Sequence, residues 1–316
     1  GFWPQVGAEV RSRLRSPATL VALGVILLGA FFWIPSPTGK AASITWRGSD
    51  GLVYAPEQSA AYLGVAMAML SGIVLAIFGF YLVVGAIARD RRSGLGGLLA
   101  ATPLSNLSYL AAKVVAHASY LGLLSLASLP VGIYQFLRFG RGDFEIVPFL
   151  APLLLIVPPS ILFVATMAVL FEVTPGLKGR AGWVVWFLTL GLWLGAIPLA
   201  LTPRDANGRL ERLPWFDPAG ALALDVLIER SVDDIEPKSL STGLIFHPTP
   251  PVRVPWQGFP ITPSLVLARA ANLVVCAALL ALALALGRFL AGQLFEGDRR
   301  FDIVVRLKDA DRTTEG

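Results

Sequence analysis

Six stretches of the sequence are apolar over about twenty residues or more, the length that a helix needs to cross the hydrocarbon core of a bilayer. They cover residues 17–34, 60–88, 113–137, 146–171, 181–201 and 264–295. Only 15% of the residues are charged and the mean hydropathy is +0.68, whereas about a quarter of an ordinary soluble domain is charged. A helix satisfies its own backbone hydrogen bonds in lipid. We therefore expect an all-α polytopic membrane protein with six transmembrane helices.

Basic residues gather at alternate ends of these stretches, as expected when positive loops remain in the cytoplasm. The inner set is Arg11, Arg13, Arg15, Arg89, Arg91, Arg92, Lys178, Arg180, Arg288, Arg299 and Arg300. The two short outer turns carry only Lys40, Arg47, Arg138 and Arg141. This distribution predicts a multi-pass protein of the inner (cytoplasmic) membrane with both termini in the cytoplasm, including a tail over residues 296–316. It also accounts for the net charge of +5 without nucleic-acid binding, for which the sequence contains no motif.

The first sixteen residues predict a helix lying flat on the cytoplasmic leaflet, because apolar and charged residues fall on different sides. The apolar side holds Phe2, Trp3, Val6, Val10 and Leu14, and the charged residues elsewhere are Glu9, Arg11, Arg13 and Arg15. The alternative is a frayed polar leader.

A short amphipathic segment, residues 89–107, lies between the second and third apolar stretches. It opens with four charged residues, Arg89, Asp90, Arg91 and Arg92. After them Leu95, Leu98, Leu99 and Thr102 recur at helical spacing until Pro103, which is followed by Leu104. Such a helix either docks on a soluble partner or lies on lipid. We call residues 94–104 the connector.

The run Arg-Asp-Arg-Arg, then Leu-Leu-Ala-Ala-Thr-Pro-Leu-Ser at residues 98–105 and Leu-Ala-Ala-Lys at residues 110–113, resembles the coupling-helix region of the ABC-2 type export permeases. The resemblance implies a permease subunit of an ATP-driven exporter, with an N-terminal elbow helix. It also implies cytoplasmic ABC ATPase subunits as partners that carry ATP and Mg, and a second permease subunit, identical or related. The four charged residues would position the coupling segment, while Leu95, Leu98, Leu99 and Leu104 would contact the ATPase. Where many members carry Gly-Thr-Leu-Glu, this chain has Ser-Gly-Leu-Gly at residues 93–96, which lacks the acidic contact.

Several residues within the apolar stretches are candidates for a translocation pathway. The fourth stretch contains Pro158 and Pro159, which either break the helix beside a pathway or only kink it. Trp193 meets either substrate or a packed neighbour, and Asn272 lies near the outer end of the last stretch.

Two other polar residues in the apolar stretches are expected to be structural. We expect Arg269 to reach outward to lipid headgroups. His117 lies on the same helix face as Lys113, and we expect a partly buried structural residue there instead of a proton or substrate contact.

Two outer segments complete the predicted topology. Residues 35–59 form a short loop, and residues 202–263 form a cap with a helix over residues 218–230. The second segment is near the lower size limit for an independent core. We expect it to pack on the outer membrane face and against a partner subunit.

The sequence lacks the motifs of an enzyme or a metal protein. It has no phosphate-binding G-x-x-x-x-G-K-[ST] loop, no H-E-x-x-H and only two His residues. We expect no cofactor in this chain, and the single Cys276 excludes an intrachain disulfide. Two other functions remain open, a non-transporting membrane anchor and a secondary transporter. Secondary transporters commonly show internal repeats and charged residues at mid-membrane, and neither is evident in this sequence.

Overall fold

The computed structural model describes residues 2–93, 105–205, 210–232, 235–236 and 239–298, except for the side chains of Arg91 and of residues 287–298. The chain is 66% helix. Five described helices are long and apolar enough to cross a membrane, or up to six if a bent pair is counted as one span. The expectation of a mostly helical membrane protein is therefore confirmed, while the sixth span stays a prediction.

The helices follow the order of the apolar stretches. They are α1 Phe2–Leu14, α2 Pro17–Trp33, α3 Ala60–Val74, α4 Phe80–Val83, α5 Ala86–Arg92, α6 Asn106–Leu126, α7 Leu129–Phe139, α8 Ile146–Val173, α9 Arg180–Gly191, α10 Ile197–Leu201, α11 Ala221–Arg230 and α12 Pro263–Asp298. Wider π-helical turns at Leu75–Gly79 and Leu192–Ala196 continue α3 into α4 and α9 into α10. The five candidate spans are Ala60–Asp90, Asn106–Phe139, Ile146–Val173, Arg180–Leu201 and Pro263–Leu286.

The first two helices form the bent pair, with an angle of 71° between α1 and α2. Ser16 caps α2 by accepting a hydrogen bond from the Ala18 amide, and Pro17 occupies the first helical turn. Whether α1 lies at the membrane surface remains a prediction. Trp3 on its predicted apolar side is 72% exposed, while Glu9 and Arg13 are buried. These two charged residues are buried because Arg89 and Lys113 pair with Glu9, and the Val83 carbonyl accepts from Arg13.

A four-stranded sheet corrects the all-α expectation. Its strands are β1 Ala41–Arg47, β2 Val53–Pro56, β3 Ser241–Phe246 and β4 Val252–Val254, in the order β3-β1-β2-β4. β1 pairs antiparallel with β2 and β3, and β2 pairs parallel with β4. Strands this short are not stable alone. The predicted outer loop and the predicted cap therefore combine into one layer, a pairing between distant segments that no local pattern reveals.

The sheet lies at one end of the helical bundle, which we call the sheet end. α2 leads into β1, α3 begins just after β2, and the Arg141 amide after α7 donates to the Gln58 carbonyl at 3.1 Å. The opposite end, which we call the base, holds α1, α5 and the start of α6. Ser93 and Ser105, the described residues on either side of the connector, therefore lie at the base.

The central helix of the bundle is α8, in which 78% of the most apolar 18-residue part is buried. It remains one continuous helix through Pro158 and Pro159, so the alternative of a broken helix is wrong. It packs very closely on α3, because a Cβ atom added at Gly64 would lie 2.3 Å from the Phe149 carbonyl oxygen. By contrast, only 11% of the most apolar 18-residue part of the Arg180–Leu201 span is buried, which leaves most of this part for lipid or protein.

Candidate functional site

Five charged side chains from α1, α5 and α6 meet at the base, and we call them the base charge cluster. Its members are Glu9, Arg13, Arg89, Asp90 and Lys113. The Glu9 Oε1 atom lies 3.0 Å from Arg13 Nε and 2.6 Å from Arg89 Nη2. Its Oε2 atom lies 2.7 Å from Lys113 Nζ, which is also 2.8 Å from Asp90 Oδ2. One carboxylate therefore binds both sides of the connector.

The electrostatics of Glu9 favour its charged form. Burial raises the pKa of this carboxyl, but Lys113, Arg13 and Arg89 outweigh burial and hold its pKa below the ordinary value. Lys113 is itself only 3% exposed. Glu9, Arg13 and Lys113 thus form the desolvated core of the cluster and depend on their partners, while Arg89 remains 46% exposed.

Arg13 also secures a break in the second span. Its guanidinium donates to the carbonyls of Leu82 and, at 2.6 Å, Val83, near the end of α4. The next residue, Val84, is extended, and Gly85 has a φ of +91° that favours glycine. The helical hydrogen bonding of the second span is therefore interrupted between α4 and α5.

Glu172, near the end of α8, caps the helix that follows this break. Its Oε1 atom accepts from the amides of Gly85 and Ala86 at 2.8 and 3.1 Å. Its Oε2 atom accepts from Ile87 and Ala88 at 2.7 and 3.2 Å. Four amides at the start of α5 thus bind one buried carboxylate. The partial positive charge of a helix N-terminus stabilises a negative group in this position. α8, α5 and α1 are thereby joined at the base.

The predicted coupling residues are only partly described. Arg89 and Asp90 belong to the base charge cluster, and Tyr109 donates to Asp90 Oδ2 at 2.8 Å. Arg92 is exposed and Arg91 lies in α5. The other predicted coupling residues, Leu95, Leu98, Leu99, Thr102, Pro103 and Leu104, lie outside the described residues.

His117 lies next to the cluster and is fully buried, so the expectation of partial burial is wrong. Its Nε2 atom is 3.2 Å from Arg13 Nη2. The prediction that Lys113 and His117 share a helix face is confirmed, since both contact side chains of α1.

At the sheet end, Arg269 forms a second polar group with Asp217. Arg269 is 3% exposed, so the expectation that it reaches the headgroups is wrong. It donates to the carbonyls of Asp217 at 2.8 Å, Ile156 at 3.0 Å and Leu155 at 3.4 Å. The Leu155 carbonyl lacks its usual helical donor because Pro159 has no N–H. Arg269 thus replaces a backbone hydrogen bond that the proline removes.

The pathway candidates fall into two places. Asn272 accepts from the Asp217 amide at 2.9 Å and donates to the Trp215 carbonyl at 3.1 Å, so it joins the group around Arg269. Pro158 and Pro159 lie beside this group in α8. Trp193 is separate, with its ring 6.0 Å from Phe163 and its Nε1 donating to Thr189 Oγ1 at 3.2 Å. Asn272 and Trp193 therefore have protein partners.

In the described part of the chain, no group of three or more His, Cys, Asp or Glu residues is placed to hold a metal ion. No protein-family model, curated protein or solved structure matches this sequence. Evidence for function therefore comes from the geometry of the base and from the sequence resemblance.

Three important residues were not among the predicted sites. Glu9 and Arg13 are spaced i, i+4, a signal for an ion pair on α1, but their partners lie on other helices. Glu172 was visible as an acidic residue closing an apolar stretch, a position that predicts an interfacial role without naming a partner.

Proposed function

We propose that this chain is the membrane-spanning permease subunit of an ATP-driven exporter. Separate cytoplasmic ABC ATPase subunits would hydrolyse ATP, and a second permease subunit, identical or related, would complete the pathway. The connector would seat on the ATPase and pass its movement to the membrane helices.

The observation that carries this proposal is the double engagement of Glu9. Arg89 lies in the helix before the connector and Lys113 in the helix after it, and both bind the same carboxylate. A displacement of the connector would therefore act on α1, α5 and α6 together. An anchoring surface has no need for such a network of desolvated charges, whereas a subunit that transmits movement needs rigid joints.

The second support is the path from α5 to the central helix. Glu172 binds the first turn of α5 and belongs to α8, which packs on α3 and α12. A partner that favours one position of α5 would thus favour one arrangement of the central helices, as coupling requires.

Replacing Leu98 and Leu99 by Asp tests the proposal. These substitutions place two charges on the apolar face of the connector, and we expect them to abolish both copurification of the ATPase and ATP-dependent transport. The matched control replaces Leu52, an exposed residue at the sheet end, by Asp. Unaltered copurification and transport in the Leu98 and Leu99 variant would contradict the coupling role.

A second readout separates a permease from a membrane anchor. A permease is expected to bring a partner ATPase whose hydrolysis rate rises when the transported compound is added to vesicles. Copurification of an ATPase without any compound-dependent change of rate would favour the anchor.

A further inference from the structure

The exposed charges at the base are all of one sign among the described side chains. The exposed bases are Arg11, Arg15, Arg89, Arg92, Lys178 and Arg180. The acids at this end are turned inward, with Glu9, Asp90 and Glu172 exposed by only 8%, 13% and 6%. The ion network thus removes the acidic side chains from the surface and leaves a positive rim around the base.

The sheet end differs in this respect. The turn between α7 and α8 exposes Asp143 and Glu145 together with Arg138 and Arg141. Charges of both signs alternate there, so the turn does not attract anions as a continuous positive surface does. The positive rim is a property of one end of the bundle and not of the whole molecule.

Exposed apolar side chains accompany the bases on two sides of the rim. Trp3 and Leu14 on α1 are 72% and 41% exposed; Arg11 lies on the same helix and Arg15 directly follows it. Trp183, 48% exposed, lies one turn after Arg180. Basic residues beside exposed tryptophan are typical of the interface between headgroups and acyl chains. This combination favours a lipid surface over an acidic protein.

We propose that the rim binds anionic phospholipids, whose phosphates pair with Arg11 on α1 and Arg15 just after it, and with Lys178 and Arg180 around the start of α9. Arginine and lysine both bind phosphate oxygens by charge-assisted hydrogen bonds. The binding would hold α1 against the leaflet at the end of the molecule that carries the connector. Arg92 is not assigned to this site because it lies close to the connector. Substitutions in the lipid site can therefore impair lipid binding without altering the segment proposed to dock on the ATPase.

The test uses the purified full chain in nanodiscs of phosphatidylcholine alone or of phosphatidylcholine and phosphatidylglycerol in equal amounts. The base variant combines four substitutions, R11Q, R15Q, K178Q and R180Q. The control variant removes the same charge from the sheet end with K40Q, R138Q, R141Q and R212Q. The readouts are the thermal stabilisation given by phosphatidylglycerol and the number of phosphatidylglycerol molecules retained in native mass spectrometry.

We expect the original chain and the control variant to be stabilised by phosphatidylglycerol, and this stabilisation to weaken as salt is raised. In the base variant, the apparent affinity for phosphatidylglycerol should fall by about tenfold or more, since each basic residue near an anionic surface adds to binding. The pair K178Q and R180Q leaves α1 unchanged and should show a smaller loss, which excludes misfolding of α1 as the cause.

Three outcomes would overturn the proposal. Equal retention of phosphatidylglycerol by the base and control variants would mean that the rim is not its site. Equal stabilisation by free glycerol phosphate would identify a soluble phosphate as the ligand. Loss of a copurifying ATPase with unchanged lipid retention would identify a protein-docking surface.

Discussion

The Lys113 Nζ atom lies 2.7 Å from the Glu9 Oε2 atom, although 104 residues separate the two in the sequence. This ion pair joins α6 to α1. Because Glu9 also binds Arg89, the two helices that flank the connector share one counter-ion. The base is therefore the one described place where the N-terminal helix, the second span and the third span meet through charge.

Replacing Glu9 by Gln should destabilise the chain. The substitution keeps the size of the side chain but leaves the buried Arg13 without its counter-ion and Lys113 with Asp90 alone. Breaking a buried ion pair costs roughly 3 kcal/mol or more. Thermal unfolding of the purified chain in detergent measures the effect. R11Q is the matched control, because Arg11 is exposed on the same helix. The cost of E9Q should shrink in a K113M background, and an unchanged midpoint for E9Q would mean that the cluster contributes no stability.

Replacing Glu172 by Ala should loosen the start of α5. Four amides, from Gly85 to Ala88, would lose their acceptor, so hydrogen exchange at these residues should become faster. Glu172→Gln should give an intermediate rate because an amide has one acceptor oxygen. T174A, two residues after Glu172, removes a hydroxyl that donates to the Leu170 carbonyl and should leave the exchange as it is. Equal protection in the original chain and in E172A would contradict the capping role.

Replacing Arg269 by Met should cost less stability when Pro159 is also replaced by Ala. In the original chain Arg269 supplies a donor that Pro159 cannot supply to the Leu155 carbonyl. An alanine at position 159 restores the backbone N–H, so the two substitutions should be coupled by about 0.5 kcal/mol or more in a double-mutant cycle. Thermal midpoints of the four proteins give this coupling. Strict additivity would show that Arg269 is retained for another reason.

Replacing Asp225 by Asn should stabilise the chain at neutral pH. Burial raises the pKa of Asp225 to about 6, and the negative charges of Asp217 and Glu229 add to the rise, while the Thr242 hydroxyl at 2.9 Å opposes it. The folded chain therefore keeps a proton that the unfolded chain releases near its ordinary pKa of 3.8. Stability due to this group falls as pH rises from about 4 to above 6. The gain from D225N should be on the order of 2 kcal/mol at pH 8 and absent at pH 4.

Asp50 is a useful comparison in the same pH series, because its pKa is lowered whereas that of Asp225 is raised. Hydrogen bonds from Tyr54 and from the Leu52 amide lower its pKa. Any stability it contributes is present at neutral pH and is lost as pH falls through its pKa. Thermal midpoints of D225N and D50N against pH should therefore differ from the original chain in opposite directions at pH 8. A constant gain from D225N between pH 4 and 8 would contradict the raised pKa.

Much of the helical layout could be predicted because an apolar stretch of about twenty residues has few folds available in lipid. The five candidate spans fall on five of the predicted stretches. The second span differs in detail, because its helix is interrupted at Gly85. Arg13 on α1 and Glu172 on α8 bind the backbone groups that the interruption leaves without helical partners. A single glycine in an apolar stretch gives no sign of such partners.

Neither the sheet nor the partners of the buried charges could be predicted, and the physical reason is the same for both. β1 and β3 pair although almost 200 residues lie between them, and neither strand would persist alone. Likewise Arg269 looked suited to a headgroup because its sequence neighbours are apolar, but Pro159 leaves the Leu155 carbonyl on α8 free to accept from it. Local periodicity indicates which side of a helix or strand is apolar. It does not indicate which residues of a distant helix or strand contact that side.

The most direct test of the proposed exporter function is a mild-detergent pull-down of the tagged chain from its native membranes, with quantitative mass spectrometry of the proteins that accompany it. We expect a P-loop ATPase in nearly equal amount, together with a second permease if the pair is not identical. The same experiment with the L98D and L99D variant should lose the ATPase. Recovery of a different soluble complex and no ATPase would contradict the exporter proposal and assign the chain an anchoring role.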